Sequence, residues 1–283
     1  MSTISRRHSL VPQPPENGLP LLCNGDRMKQ PEFHRRYQAY PGDVKFELVG
    51  GVVYMASPLR RPHGIYHPKL SQALATYESG TPGVELSDNA TVILSEESEP
   101  QPDLALRILT ECGGRSRVNA DEYYEGPPEL LAEIAHSSRA IDMNQKRDDY
   151  AQAGVLEYLV LCVEEREVHW SHFPSRRMIR PDRAGVARSR VFPGLWIDVA
   201  ALLERDGSRL VAAVQQGLAA PAHAAFVKRL EKARKRRSRV VIHAPANRRP
   251  VSRSYASTYF SRVRAATSPG NRPARYNKGG DRI

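Results

Sequence analysis

The segment Leu130-Leu131-Ala132-Glu133-Ile134-Ala135 limits the fold of this 283-residue chain more than any other. Its five apolar residues do not alternate with polar ones, as they would in a strand that has one face in water. A continuous apolar run of this length is typical of a strand that is covered on both faces. It therefore predicts a buried central strand.

Strand-like and helical patterns follow one another along the rest of the chain. Further predicted strands are the two arms of a hairpin over Lys45–Met55, and Val84–Leu86, Ala90–Leu94, Leu104–Ile108, Tyr158–Val163, Glu167–Phe173 and Arg188–Phe192. The predicted helices are Gln30–Tyr40, His67–Ser79, Ala140–Ala153, Leu195–Leu203, Arg209–Gln216 and Pro221–Arg237. Pro68 is expected in the first turn of its helix, where a proline needs no hydrogen-bond donor. This mixture predicts an α/β or α+β domain over residues 28–230.

The charge of the chain is concentrated at its carboxyl end. Residues 228–283 hold 17 Lys and Arg against two acids, whereas residues 1–227 hold 25 against 29, so that an acidic body carries a strongly basic tail. The composition of residues 1–27 predicts a flexible leader, and that of residues 231–283 predicts a disordered basic tail. The tail either tethers nucleic acid through its phosphates or is a solvated extension, which a misplaced coding boundary would also produce.

The cysteines and the apolar runs indicate the cellular compartment in which we expect the protein. Cys23, Cys112 and Cys162 are odd in number and widely spaced, which fits neither a disulfide framework nor a zinc site. The sequence has no secretory signal and no apolar run of about 20 residues, so we expect a soluble cytoplasmic protein with no membrane partner.

Four ionisable residues stand in apolar surroundings. Glu133 interrupts the central strand, Glu47 interrupts an arm of the hairpin, and Asp103 follows Pro102 where another strand begins. Lys146 lies in the helix that follows Glu133. Carboxylates supply the oxygen ligands of a hard cation such as Mg²⁺, and a nearby lysine neutralises charge that develops on a phosphodiester. These residues are therefore candidates for a metal-dependent site.

Each candidate also has a purely structural interpretation. Asp103 could cap a turn, Glu133 could face solvent from an edge strand, and Glu47 could lie on the exposed face of the hairpin. Lys146 could pair only with Asp142, four residues earlier on the same helix face. His63 and His67 lack the spacing of metal ligands, and we expect them at the surface or in loops.

The order of these residues resembles one family. It is the Uma-type putative restriction endonuclease family, a branch of the PD-(D/E)XK nuclease superfamily, and the resemblance covers residues 28–230. The segments that carry it are Phe46-Glu47-Leu48, Ser57-Pro58, His63-Gly64, Gln101-Pro102-Asp103, residues 132–138, Asp142, Lys146, Tyr150, Glu157-Tyr158 and residues 192–196.

The resemblance implies a restriction-endonuclease-like core, a mixed sheet flanked by helices, with Glu47, Asp103 and Glu133 as ligands of Mg²⁺ or Mn²⁺. The superfamily pattern places a lysine two residues after the strand acid, where this chain has Ala135. The resemblance therefore implies that Lys146, on the following helix, supplies the lysine.

Three hypotheses follow. The first is a metal-dependent endonuclease that cuts DNA, with Glu47, Asp103, Glu133 and Lys146 as its catalytic residues. The second is a nuclease-fold protein that binds nucleic acid and no longer cuts. The third is a self-associating module, such as a homodimer. The sequence does not distinguish DNA from RNA as the substrate.

Overall fold

The computed structural model describes residues 18–40, 44–56 and 59–242, and its elements follow one another in a mixed order. Its helices are α1 (Gln30–Tyr37), α2 (Arg61–Ser79), α3 (Arg139–Ile141), α4 (Arg147–Ala153), α5 (Val199–Glu204), α6 (Gly207–Leu218) and α7 (Pro221–Ile242), with a π-helical segment, Asp142–Lys146, between α3 and α4. Its strands are β1 (Phe46–Val49), β2 (Val52–Met55), β3 (Val84–Asp88), β4 (Val92–Ile93), β5 (Leu104–Ile108), β6 (Arg117–Val118), β7 (Tyr124–Glu125), β8 (Leu130–Ala135), β9 (Glu157–Cys162), β10 (Glu167–His172), β11 (Arg177–Met178), β12 (Val186–Arg188) and β13 (Trp196–Asp198).

A six-stranded mixed sheet holds the centre of the fold. Its strand order is β11-β10-β9-β8-β5-β3, in which β8 and β9 are parallel and the other neighbours are antiparallel. All six residues of β8 are buried. The connection from β8 to β9 is the helical stretch from α3 to α4, as a parallel crossover requires. The predicted mixed sheet with a buried central strand and flanking helices is confirmed.

The two faces of the sheet build separate cores. Leu130, Ala132 and Ile134 of β8 pack in the larger core together with Leu70 and Leu74 of α2. Leu131 and Ala135 belong to the other core, which contains Tyr150 of α4 and Tyr158 of β9. Successive side chains of a strand point to opposite faces. Glu133 therefore faces the side of the sheet that α4 covers.

The hairpin of β1 and β2 forms a smaller unit beside the sheet. Phe46, Leu48 and Val53 pack on Phe33 of α1 and leave Glu47 on the opposite face of β1. Residues 18–27, which we expected to be part of the leader, lie against this hairpin: Leu22 is buried in the same core, and the Gly25 backbone N–H donates to the Val53 carbonyl at 2.8 Å.

Two sequence predictions are wrong around residue 190. The strand expected at Arg188–Phe192 is β12, which ends at Arg188, and the helix expected from Leu195 begins at Val199. Residues 196–198 instead form β13, which pairs antiparallel with β12 across the turn at Gly194. The helix starts later because the Asp198 side chain accepts a hydrogen bond from the Ala201 backbone N–H and so caps α5.

The helix expected to begin at His67 begins six residues earlier, at Arg61. Pro62 takes the place in its first turn that we expected for Pro68, which lies inside the helix instead. A proline at that position removes one backbone hydrogen bond.

The chain ends of the predicted domain are only partly described. The expected boundary between residues 230 and 231 falls inside α7, while residues 1–17 and 243–283, including most of the predicted tail, lie outside the described residues.

Among the described helices, none is by itself long and apolar enough to cross a membrane; the pair Gly207–Leu218 and Pro221–Ser238, bent by 67°, meets that test only when joined.

Candidate active site

The four candidate residues lie in one cluster. The Lys146 Nζ atom is 3.0 Å from both carboxylate oxygens of Glu47 and 3.0 Å from Glu133 Oε1. The Asp103 backbone N–H donates to Glu133 Oε2 at 3.3 Å. Residues separated by up to 99 positions in sequence thus meet where β8 ends and β5 begins.

Glu133 is buried in the centre of this cluster and is 4 % exposed, which excludes the solvent-facing interpretation. Besides Lys146, its Oε1 atom accepts a hydrogen bond from the Tyr150 hydroxyl at 3.0 Å. Burial raises the pKa of Glu133 well above its usual range; the Lys146 ammonium opposes this, and the neighbouring carboxylates of Asp103, Asp142 and Glu47 reinforce it. The loss of hydration on burial is thus the main reason why the charged form of Glu133 is disfavoured.

Asp103 joins β5 to two other elements. Its Oδ2 atom accepts a hydrogen bond from the Ile134 backbone N–H at 2.7 Å, and both carboxylate oxygens lie 3.1 Å from His63 Nε2. The carboxylate thus spans strand and helix instead of capping a turn. Burial acts to raise the pKa of Asp103, but the hydrogen bond and charge of His63, the Ile134 N–H and Lys146 outweigh it, so that the pKa is lowered.

Lys146 reaches the cluster from the end of the π-helical segment. It is 5 % exposed, and its ammonium lies closer to Glu47 and Glu133, at 3.0 Å, than to Asp142, at 3.6 Å. Pairing with Asp142 alone is therefore wrong. Burial acts to lower the pKa of Lys146, but the charges of the three carboxylates prevail and raise it well above its usual range. The side chain is held as an ammonium ion.

Glu47 is placed by contacts from two sides. Its Oε1 atom accepts a hydrogen bond from the Gln101 backbone N–H at 2.7 Å, next to the Pro-Asp dipeptide. The hairpin turn is in turn tied to α4, because Asp149 accepts hydrogen bonds from the Gly50 backbone and from the Ser98 hydroxyl. The helix that follows Lys146 therefore also contacts the turn next to Glu47. These contacts fix the position of the Glu47 side chain relative to that of Lys146.

Sequence reasoning missed His63. It is 7 % exposed instead of lying at the surface, and the His67 ring stacks on it with the ring centroids 5.6 Å apart. The missed signal is helical spacing: His63 occupies the same buried stripe of α2 as Tyr66, Leu70 and Tyr77. A histidine on an otherwise apolar stripe needs a buried polar partner, and here the partner is Asp103.

The cluster suits a divalent cation in its chemistry. Three carboxylates, those of Glu47, Glu133 and Asp142, lie within 3.6 Å of one lysine, and Asp103 joins them through its backbone contact with Glu133. Oxygen atoms are the ligands that Mg²⁺ and Mn²⁺ prefer. One oxygen, Asp142 Oδ1, is buried without a hydrogen-bond partner. In the described part of the chain no three His, Cys, Asp or Glu side chains already converge as a metal site. Lys146 bridges Glu47 and Glu133 instead.

Comparison with known proteins identifies one family. The model of the Uma2 family, described as "Putative restriction endonuclease", matches residues 31–200, a range that contains every member of the cluster. Among solved structures, the chain is similar to a putative nuclease belonging to DUF820 from Anabaena variabilis ATCC 29413, with 12 % sequence identity, a TM-score of 0.47, and coverage of 60 % of this chain and 96 % of that one. No curated protein matches the chain.

Proposed function

The chain belongs to the Uma2 family of putative restriction endonucleases, and on this premise we propose that it is a Mg²⁺- or Mn²⁺-dependent endonuclease that hydrolyses phosphodiester bonds of DNA. One observation supports the proposal above all. A lysine and four carboxylates, contributed by the hairpin, by β8, by the start of β5 and by the helical crossover, meet in one buried cluster inside the matched range. Such a set supplies cation ligands beside a donor for a phosphate.

The carboxylates of Glu47, Asp103 and Glu133 would hold the cation. A bound divalent ion supplies a polarised phosphate oxygen and a water molecule of lowered pKa. The chain itself fixes these carboxylates. His63 and the Ile134 N–H orient Asp103, and the Tyr150 hydroxyl orients Glu133, in the manner of the outer partners that orient metal ligands.

Lys146 has the second role. Its ammonium is the one cationic side chain that contacts Glu47 and Glu133 in the described structure. A phosphodiester that enters beside these carboxylates brings negative charge, which increases on its oxygens as the water attacks. Lys146 would donate a hydrogen bond to such an oxygen and stabilise the pentacovalent phosphate, at a site where burial strengthens the interaction.

The test is nicking of supercoiled plasmid by the full chain with Mg²⁺ or Mn²⁺. We expect Asp103→Ala and Glu133→Ala each to lower the rate by about 100-fold or more, the scale of losing one catalytic electrostatic group. Asp148→Ala removes an exposed carboxylate from α4 and is the matched control, with an unchanged rate. Nicking that survives both cluster substitutions, or that needs no divalent cation, would contradict the proposal.

A second candidate is a nuclease-fold protein that binds nucleic acid without cutting it. The contact of Lys146 with Glu47 and Glu133 favours it, because in the described structure the ammonium occupies oxygen atoms of two of the proposed cation ligands. Binding that disappears on deletion of residues 232–283, without cleavage under any divalent cation, would support this alternative against the first.

A further inference from the structure

Asp142 belongs to the cluster, although neither the superfamily pattern nor our candidate set includes it. The residue is 1 % exposed, and its Oδ1 atom is buried without a hydrogen-bond partner. Lys146 Nζ lies 3.6 Å from that atom, at ion-pair distance but beyond a good hydrogen bond. A buried carboxylate oxygen with unused acceptor capacity is unfavourable, so its presence in a folded protein requires a physical explanation.

The rest of Asp142 is held independently of Lys146. Its Oδ2 atom accepts a hydrogen bond from the Ser138 hydroxyl at 2.6 Å, and its backbone carbonyl accepts one from the Tyr158 hydroxyl at 3.1 Å. Tyr158 belongs to β9, in the sheet. Asp142 therefore keeps its position if the lysine side chain moves.

Cation binding at the proposed site makes such a movement necessary. The ammonium now bonds to Glu47 and Glu133, which are two of the three proposed cation ligands. A cation that takes their oxygens repels the ammonium and leaves it with fewer acceptors. A buried ammonium without a partner costs several kcal/mol. Within the described residues, the one other carboxylate that Lys146 reaches is Asp142, one helical turn earlier.

We propose that Asp142 is a positioning residue that receives the Lys146 ammonium when a divalent cation binds Glu47 and Glu133. A shift of well under 1 Å brings Nζ from ion-pair to hydrogen-bond distance of Asp142 Oδ1. The lysine then stays beside the cation with one ammonium hydrogen on Asp142, and its other hydrogens are available to a phosphate. This inference rests on the proposed function of the same site.

Ser138→Ala separates this role from simple electrostatics. The substitution removes the hydroxyl that fixes Asp142 Oδ2 but leaves every charge of the cluster in place. We measure the affinity of the full chain for Mn²⁺ alone, without nucleic acid, by titration calorimetry. Ser138→Ala should weaken binding about fivefold, the scale of one lost hydrogen bond. Ser137→Ala, at the exposed neighbouring position, should leave the affinity unchanged.

A double-mutant cycle shows whether Asp142 acts through the lysine. Asp142→Asn should weaken Mn²⁺ binding about tenfold or more in the wild-type background, as expected for a lost charged acceptor. With Lys146→Met the ammonium is gone, so Ser138→Ala should have no effect and Asp142→Asn a smaller one than before. Equal or larger losses in the Lys146→Met background would mean that Asp142 is a direct ligand or a mere charge, and would overturn the inference.

The cation measurement also separates the two proposals. Mn²⁺ affinity that Glu133→Gln abolishes, without coupling between residues 138, 142 and 146, overturns the role of Asp142 and leaves the proposed function standing. A wild-type chain that binds no Mn²⁺ overturns both. If Asp142→Asn fails to fold by near-ultraviolet circular dichroism, the comparison of Ser138→Ala with and without Lys146 decides the matter.

Discussion

Lys146 offsets the negative charge of the carboxylates in the cluster. Its ammonium is within 3.6 Å of Glu47, Glu133 and Asp142, and each of these carboxylates is largely or fully buried. Paired buried charges contribute little net stability, but removal of one partner is costly because the others remain without compensation. The same residue is thus required for the fold, and the proposed function gives it a second role toward a phosphate.

Lys146→Met should therefore destabilise the protein by about 3–5 kcal/mol at pH 7, because three buried carboxylates lose their counter-charge. The pKa values of Glu133 and Asp142 are already raised by burial, and the substitution raises them further. A carboxyl group whose pKa is raised on folding contributes stability below its unfolded value and loses that contribution as the pH rises. The deficit should consequently shrink as the pH falls toward about 4.5.

Urea unfolding of the full chain at pH 7 and pH 5 measures this effect. Lys45→Met is the matched control, because Lys45 is exposed and its ammonium bonds only to the Asn89 side chain at 3.0 Å among the contacts described. We expect a change below about 0.5 kcal/mol for the control at either pH. A Lys146→Met deficit that grows as the pH falls would contradict this account of the cluster.

At the scale of elements, a contact between two glycines sets how closely α6 approaches a neighbouring turn. Gly217 of α6 meets the turn at Gly194: a Cβ atom at position 217 would lie 2.0 Å from the Gly194 carbonyl oxygen. Gly194 itself has φ of +94°. The two glycines fit together because neither has a side chain, and the contact sets the distance between α6 and β13, which follows the turn.

Gly217→Ala should therefore destabilise the protein by about 2–3 kcal/mol, although alanine favours helices over glycine. Gly64→Ala is the opposite control within α2, since a Cβ atom there meets nothing within 4 Å. That variant should gain about 0.5–1 kcal/mol from the higher helix propensity of alanine. Thermal unfolding of both variants measures whether each substitution lowers or raises the stability of the protein. Stabilisation by both substitutions would refute the close contact at Gly217.

At the scale of the whole molecule, the acidic cluster and the basic end of α7 are separated. The cluster lies where β5 begins, whereas Arg237 of α7 contacts the Thr110 carbonyl just beyond the end of β5. A strand of five residues spans about 16 Å, so the basic end of α7 is distant from the cluster. Under the proposed function, the basic residues at the end of α7 would therefore bind a polyanion away from the phosphate that reacts.

Truncation after residue 242 tests whether the basic residues that follow α7 add to the binding of DNA. It removes nine Lys and Arg and one acid, and keeps every described residue. We expect the Mn²⁺ affinity to be unchanged and the affinity for duplex DNA to fall. The slope of log K against log salt concentration should become shallower by about 0.9 for each phosphate that the truncated chain no longer neutralises. A chain with residues 243–283 in shuffled order should bind as the wild type does; weak binding by that chain would show that the tail recognises DNA by its order.

The mixed sheet was implied by the family resemblance. The residues by themselves determined the buried strand, the hairpin over Lys45–Met55 and the four ionisable residues of the cluster. Those features depend on periodicity and on an acid in an apolar run, which are local and are visible in a single chain. The tertiary structure decided where α2 begins, at Arg61, and that residues 196–198 form a strand, since these residues pair with β12. It also placed His63 on Asp103 and Asp142 near Lys146. Spacing shows which face of a helix a residue occupies, but the register between helix and sheet decides which partner it meets there.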